Sequence, residues 1–190
     1  MTAVPVAERM TAKEFLALPV PQRGRPWNLV GGEVVVNQAT ALHSAVASNL
    51  RYALEIWARG QLGSGALHEP LAIQVDERNV YAPDILWYAE GRIPDPYDEP
   101  PYPLPDIAVE VRSPSTWRYD IGAKKAGYER RGLPELWLVD TQADAVLVFR
   151  RSSPDAPTFD VALELDREEQ LTSPLLPGFS LALGEVFPER

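Results

Sequence analysis

The amino-acid sequence predicts a single domain with an α/β (α+β) core, because strand-like segments lie on either side of helical ones. Short apolar runs such as "DIAVEV" and "ELWLVD" are typical of strands that are covered on both faces of a sheet. Apolar residues also recur at helical spacing between positions 41 and 59. A chain of 190 residues has the usual length of one domain, so we expect one domain over 1–190 with a core at about 11–187.

The composition excludes several classes of site. With 45% hydrophobic residues the chain can bury a core, and without cysteine it forms neither disulfides nor zinc–thiolate centres. No apolar stretch is long enough to span a bilayer, and the first residues lack a signal-like apolar segment, so the sequence predicts a cytoplasmic protein without a membrane partner. The net charge of −9 argues against strong non-specific binding to nucleic acid, because such affinity comes mostly from basic side chains. Six basic residues that lie close together in sequence could still form a local patch: Arg112, Arg118, Lys124, Lys125, Arg130 and Arg131.

In the first half of the chain, local signals predict each element. Thr11 and Glu14 form a capping box before a short helix that extends to about Leu18. The segment "WNLVGGEVVV" predicts a hairpin with its two glycines at the turn. A longer helix follows over 41–59, and the glycine after it ends the apolar pattern.

The second half is predicted to supply most of the sheet. "ALHEPLAIQV" and "VYAPDILWY" predict paired strands around the polar turn Asp76–Asn79. The segment Glu90–Pro105 is rich in Pro, Asp and Tyr, which predicts a loop. Trp117–Arg131 is predicted as a helix with Gly132 as its C′ residue. "AVLVFR" adds a strand to the two apolar runs above, and "LTSPLLPGFSLALGEVF" predicts one or two strands and a closing turn.

Two carboxylates near the ends of apolar runs indicate a metal site. Asp84 and Glu110 would lie close together if their strands pair, and two carboxylates with backbone carbonyls suit Mg²⁺ or Mn²⁺. On the following helix Asp120, Lys124 and Tyr128 recur every four residues and therefore share one face. If that face packs on the strand, the lysine can orient an attacking water or stabilise charge on a phosphoryl oxygen.

Arg112 follows Glu110 by two residues, so both side chains point to the same side of a strand. Lys125 lies about 100° around the helix from Lys124 and is not expected in the site.

Most of these residues also have a purely structural explanation. A carboxylate within an apolar run is costly to bury, which favours a functional role for Glu110. Asp84 after a proline is typical of a turn, and Asp120 with Lys124 could be an ordinary exposed pair on a helix. Three further residues have ordinary alternatives in packing, helix capping or cross-strand pairing: Tyr128, His43 and Glu33.

The order and spacing of several motifs resemble one family. The resemblance covers roughly Leu16 to Phe187, and it is to the Uma2 family, a DUF820-type group within the PD-(D/E)XK, restriction-endonuclease-like nuclease superfamily. The matching motifs are "LVGGEVV", His43 before a helix, "APDI", "PDIAVEVRSPST", Asp120 with Lys124 and Tyr128, "GLPELWLVD" and "LPGFSLAL".

This resemblance implies a restriction-endonuclease-like fold, with a central mixed β-sheet flanked by helices. It also implies that Asp84 and Glu110 are ligands of Mg²⁺ (or Mn²⁺). The superfamily usually has a lysine two residues after the glutamate, where this chain has Arg112. The resemblance implies that Lys124 on the next helix supplies the catalytic cation, with Arg112 in a supporting role. Glu33 matches a recurrent acid of the family and is a further catalytic candidate. The accessory candidates are His43, Asp120 and Tyr128.

Two main classes of function remain. The first is a metal-dependent endonuclease that hydrolyses DNA, for which we expect a homodimer, since superfamily members often cut two strands with two subunits. The second is a non-catalytic member of the same fold that binds nucleic acid or a protein. A hydrolase of small phosphate esters is a third alternative, which tolerates the acidic charge best.

Overall fold

The computed structural model describes residues 9–19, 27–60 and 65–189, and these form a mixed α+β fold with three sheets. The predicted fold class is therefore confirmed. A six-stranded sheet has the order β10-β9-β8-β7-β6-β3, a four-stranded sheet the order β2-β1-β5-β4, and β11 pairs with β12. The strands are β1 Trp27–Val30, β2 Glu33–Val36, β3 Ala66–His68, β4 Ile73–Asp76, β5 Asn79–Tyr81, β6 Ile85–Tyr88, β7 Ile107–Val111, β8 Glu135–Asp140, β9 Ala145–Arg150, β10 Val161–Leu165, β11 Gln170–Leu171 and β12 Leu181–Ala182.

The helices of the described residues lie mainly on the two sides of the six-stranded sheet. They are α1 Ala12–Leu16, α2 Ala41–Gly60, α3 Trp117–Tyr119 and α4 Lys125–Arg131, with a π-helical turn at Asp120–Lys124 and a 3₁₀ turn at Leu183–Glu185. None of them is long and apolar enough to cross a membrane.

The N-terminal predictions are confirmed with small shifts in their bounds. The Thr11 hydroxyl accepts a hydrogen bond from the Glu14 N–H at 3.3 Å, and the Glu14 carboxylate accepts one from the Thr11 N–H at 2.8 Å. The helix that follows ends at Leu16 rather than Leu18. In the hairpin, Gly31 and Gly32 have φ of 59° and 82°, the left-handed pair that a type I′ turn requires.

The two long runs predicted as paired strands each divide into two strands of different sheets. β4 and β5 pair around the predicted turn in the four-stranded sheet, whereas β3 and β6 pair in the six-stranded sheet. Pro70 and Pro83 lie where the chain leaves one sheet for the other. Proline has no N–H for a ladder hydrogen bond, which favours a break there. One result is that Asp84 stands immediately before β6.

The centre of the six-stranded sheet is apolar on both faces. β7 pairs parallel with β8 and antiparallel with β6, so the sheet is mixed as predicted. On one face, Val109 belongs to a buried cluster with Leu50 of α2. On the other face, Ala108 belongs to a cluster with Tyr128 of α4. The alternation along β7 therefore places the side chain of Glu110 on the face that α4 covers.

The helical path predicted over Trp117–Arg131 is present, and Gly132 ends it with a φ of 90°. Its middle departs from α-helical geometry in one π-helical turn, which the residue spacing did not predict. The strand β10 was also not predicted. It is an edge strand whose side chains are mostly exposed, so it lacks the apolar pattern that predicted the inner strands. The loop predicted at Glu90–Pro105 contains no strand apart from a single bridge at Tyr102.

We predict that Gly127→Ala destabilises the protein by about 1–3 kcal/mol, the usual cost of overpacking a core. A methyl group at Gly127 would lie 2.5 Å from the hydroxyl oxygen of Tyr81, whose side chain is completely buried. Urea denaturation measures the change. Gly122→Ala in the same helical path is the control, because nothing lies within 4 Å of its added methyl. Equal stability of the two variants would contradict the packing of α4 on β5.

Candidate active site

Asp84 is fixed at the junction of two neighbouring strands. Its N–H donates to the carbonyl of Val109 at 2.9 Å, and its Oδ2 accepts a hydrogen bond from the N–H of Val111 at 2.7 Å. Glu110 lies between these two residues of β7. The prediction that Asp84 and Glu110 belong to neighbouring strands is therefore confirmed.

Glu110 is buried, with 4% of its surface exposed. The Tyr128 hydroxyl donates to its Oε1 at 2.7 Å, and the Lys124 Nζ lies 2.6 Å from the same oxygen. Two groups from the helical path therefore fix the carboxylate from one side. Both of these contacts use Oε1 of the carboxylate.

Lys124 lies between two carboxylates, with its Nζ 3.0 Å from Asp120 Oδ1 as well as close to Glu110. Only 2% of the Lys124 side chain is exposed, so the ordinary exposed pair is the wrong explanation for this motif. Asp120 is held in turn by the hydroxyl of Thr116, which donates to its Oδ2 at 2.9 Å. The predicted face shared by Asp120, Lys124 and Tyr128 is present despite the π-helical turn.

Burial and charge act in opposite directions on this pair. Burial raises the pKa of Glu110 to about 8, with Asp120 and Asp84 adding to the rise and Lys124 opposing it. Burial alone would lower the pKa of Lys124, but Asp120 and Glu110 outweigh it and raise that pKa above its ordinary value. The lysine therefore stays positively charged between its two carboxylate neighbours.

His43 of α2 approaches Asp84 from the other side, with 3.2 Å between its Nε2 and Asp84 Oδ1. Burial lowers the pKa of His43, but the contact with Asp84 and the charges of Glu110 and Asp120 outweigh burial and raise it. Both residues line a cleft of about 550 Å³. Its other walls come from Asn37, Gln38, Ala39, Ala47, Ser48, Arg51, Glu69, Pro70 and Ile85.

Two predicted site residues lie apart from this cluster. Arg112 pairs with Asp140, with 2.9 Å between its Nη1 and each carboxylate oxygen, and its guanidinium lies 5.1 Å from the centre of the Trp117 ring. Arg112 follows the last residue of β7, so its side chain reaches the neighbouring strand end rather than Glu110. Glu33 is exposed in the hairpin, and its nearest cation is Arg9 at 3.9 Å. Their catalytic roles stay predictions.

The donors present suit a cation that keeps most of its own water. Within the described ranges, no three His, Asp or Glu side chains form a group that could enclose a metal. Mg²⁺ is commonly held by one or two carboxylates together with waters and substrate oxygens, and Asp84 with Glu110 fits that smaller set.

The sequence did not indicate three further residues near the site, which are Ser113, Thr116 and Asn37. Thr116 and Ser113 form a hydroxyl chain behind Asp120, with 2.8 Å between their oxygens. Asn37 is 8% exposed, and its Oδ1 has no hydrogen-bond partner. The motif that contains "SPST" does not indicate that its hydroxyl groups lie behind Asp120. A single Asn after a strand, such as Asn37, gives no periodic signal of burial.

We predict that Lys124→Met destabilises the protein by about 3–5 kcal/mol, because it leaves Glu110 and Asp120 buried without a cation. Lys125→Met is the matched control. It removes contacts between its Nζ and the rings of Phe149 and Phe159, 4.4 Å and 5.8 Å from the ring centres, and is expected to cost under about 1 kcal/mol. Urea denaturation of both variants measures the difference. A larger loss in the Lys125 variant would contradict the burial of Lys124.

Comparisons with known proteins identify a family by sequence and a similar fold by structure. The family model Uma2, described as "Putative restriction endonuclease", matches residues 12–184. A crystal structure described as "a putative nuclease belonging to DUF820" from Anabaena variabilis ATCC 29413 is similar, with a TM-score of 0.76 and 19% sequence identity. The match covers 94% of this chain and 97% of that one. No curated protein matches the chain. Because the family model spans most of the sequence, the chain belongs to the Uma2 family.

Proposed function

We propose that the protein is a metal-dependent endonuclease that hydrolyses phosphodiester bonds of DNA. The observation that carries this proposal is the buried cluster in which Lys124 lies against Glu110, on the strand next to Asp84. Structural ion pairs are seldom assembled at such burial, because removing charges from water is costly. The family description and the DUF820 nuclease neighbour support the same reaction class.

In this proposal Asp84 and Glu110 hold a Mg²⁺ or Mn²⁺ ion. Bound there, such an ion supplies a more acidic water as the nucleophile and offsets charge on the phosphate. Tyr128 and Lys124 orient the Glu110 carboxylate through Oε1, and the N–H of Val111 orients Asp84. These groups are fixed before any substrate arrives, which lowers the cost of reorganisation during the reaction.

Lys124 supplies a positive charge close to the reacting phosphate without direct access to bulk solvent. Its pKa is raised by Asp120 and Glu110 against the effect of burial, so it acts as a fixed cation rather than as a base. Deprotonation of the nucleophile therefore falls to another group. His43, 3.2 Å from Asp84 and on the wall of the cleft, is the nearest candidate.

A non-catalytic role in binding nucleic acid or protein is the alternative. The completeness of the Lys124 ion pairs favours it, since a buried lysine with two carboxylate partners can serve stability alone. Hydrolysis of a small phosphate ester differs only in substrate, and the cleft beside Asp84 would accommodate one. Metal-dependent cleavage distinguishes the two hydrolytic functions from the non-catalytic role.

We predict that Glu110→Gln folds but binds Mn²⁺ at least about tenfold more weakly and cleaves DNA on the order of 10²–10³ times more slowly. The neutral amide is a poor ligand for a hard cation, while Lys124 keeps Asp120 as its partner. Calorimetry with Mn²⁺ measures the first effect. Cleavage of supercoiled and single-stranded DNA with Mg²⁺ or Mn²⁺, stopped by EDTA, measures the second.

Glu164→Gln on the exposed strand β10 is the control for that experiment, since it removes a carboxylate far from the cluster in the fold. A small phosphodiester, bis(4-nitrophenyl) phosphate, tests the third function in parallel. If the unaltered protein binds Mn²⁺ but cuts neither DNA nor the small ester, the non-catalytic role is favoured. Unchanged Mn²⁺ affinity in Glu110→Gln would remove Glu110 from the site.

The homodimer stays a prediction. It is supported by Tyr97 in the loop after β6, which is 93% exposed, and by Tyr52 and Ile56 on the outer face of α2, which are 69% and 56% exposed. Large exposed apolar groups are frequent in subunit contacts. We expect light scattering to give twice the mass of one chain, and a monomer at high concentration would contradict this expectation.

A further inference from the structure

The cleft beside Asp84 has the size and lining of a site for one small organic group. Its volume of about 550 Å³ lies within the range of about 300–1,000 Å³ typical of such sites. Four apolar residues contribute to its lining: Ala39, Ala47, Pro70 and Ile85. Asp84 and His43 lie on its wall, so a group that fills the cleft adjoins the proposed reaction centre.

Asn37 gives the cleft an unused hydrogen-bond acceptor. The residue follows β2, is 8% exposed, and lines the cleft. Its Oδ1 is one of five buried side-chain atoms of the described residues that have no hydrogen-bond partner. Buried polar atoms are normally satisfied, so an orphaned carbonyl oxygen on a residue that lines a cleft points to a ligand that supplies the donor.

The chemistry of DNA identifies that donor. Within a DNA strand the phosphates are ionised and the internal sugars have no hydroxyl groups, so only the bases carry N–H groups. In a duplex the base is stacked and its pairing edge is occupied, so it enters an enclosed pocket only when it leaves the helix. The acidic protein also gives little general attraction for a long duplex, with a net charge of −9.

We propose that the cleft takes up one unstacked nucleotide of a single DNA strand, and that Asn37 accepts a hydrogen bond from an N–H group of its base. The inference rests on the proposed function, because it assigns the substrate of the same site. Asn37 thereby selects single-stranded over duplex DNA, and it positions the adjoining phosphate near Asp84. The apolar walls of the cleft contact the faces of the base.

The test measures binding, so that it does not depend on cleavage. Fluorescence anisotropy is recorded for a short single-stranded oligonucleotide, for its duplex and for an abasic strand of equal length, with Ca²⁺ in place of Mg²⁺. We expect the single strand to bind more tightly than the duplex. Asn37→Leu should weaken binding of the single strand about tenfold, as loss of one hydrogen bond to a buried partner does, and should not alter binding of the abasic strand.

Asn49→Leu is the matched control, because it makes the same change on α2 at a residue that does not line the cleft. Duplex binding as tight as single-strand binding, or equal loss on normal and abasic strands in the Asn37 variant, would overturn the inference. These outcomes are separable from failure of the nuclease proposal. A protein that binds single strands through Asn37 but never cuts them loses only the proposed reaction. If the protein cuts duplex DNA and Asn37→Leu does not alter that cleavage, only this inference is contradicted.

Discussion

The structure depends on the burial of one lysine between two carboxylates. Lys124 lies 2.6 Å from Glu110 on β7 and 3.0 Å from Asp120 one turn earlier, and almost none of its surface reaches solvent. Charges in a protein interior are tolerated only when each has partners with good geometry. The helical path must therefore have one position along the sheet and one rotation about its own axis. The π-helical turn that begins at Asp120 and the Tyr128 hydroxyl on Glu110 both belong to that arrangement.

The same requirement explains why the cation comes from a helix. Arg112 occupies the position two residues after Glu110, but it follows the end of β7 and pairs with Asp140 at the end of β8. A planar guanidinium is matched to a carboxylate and keeps its proton, whereas an ammonium is compact enough to fit between two buried oxygens. Lys124 therefore suits a buried position between two carboxylates, and it reaches that position from the helix rather than from β7.

The fold was predictable where a signal is local and less so where tertiary packing decides. The capping box at Thr11, the glycine turn of the hairpin and the buried strand β7 all follow from neighbouring residues, and all are present. The sequence did not predict that the two long strand-like segments divide between two sheets. That division depends on pairing between strands that are distant in sequence. For the site, helical spacing correctly gathered Asp120 and Lys124 on one face. It could not give their burial or the pairing of Arg112 with Asp140.

The distribution of charge bears on how such a chain can meet nucleic acid. Four of the six basic residues that cluster in sequence are already engaged within the fold. Arg112 pairs with Asp140, and Arg130 lies 3.7 Å from Asp76. Lys124 is enclosed, and Lys125 lies over the Phe149 ring. Cations that are already paired release few counterions on binding, so the general attraction for a polyanion is small. Affinity must then come from shape and hydrogen bonding at a local site. The cleft beside Asp84, where Asn37 carries an unused acceptor, offers both.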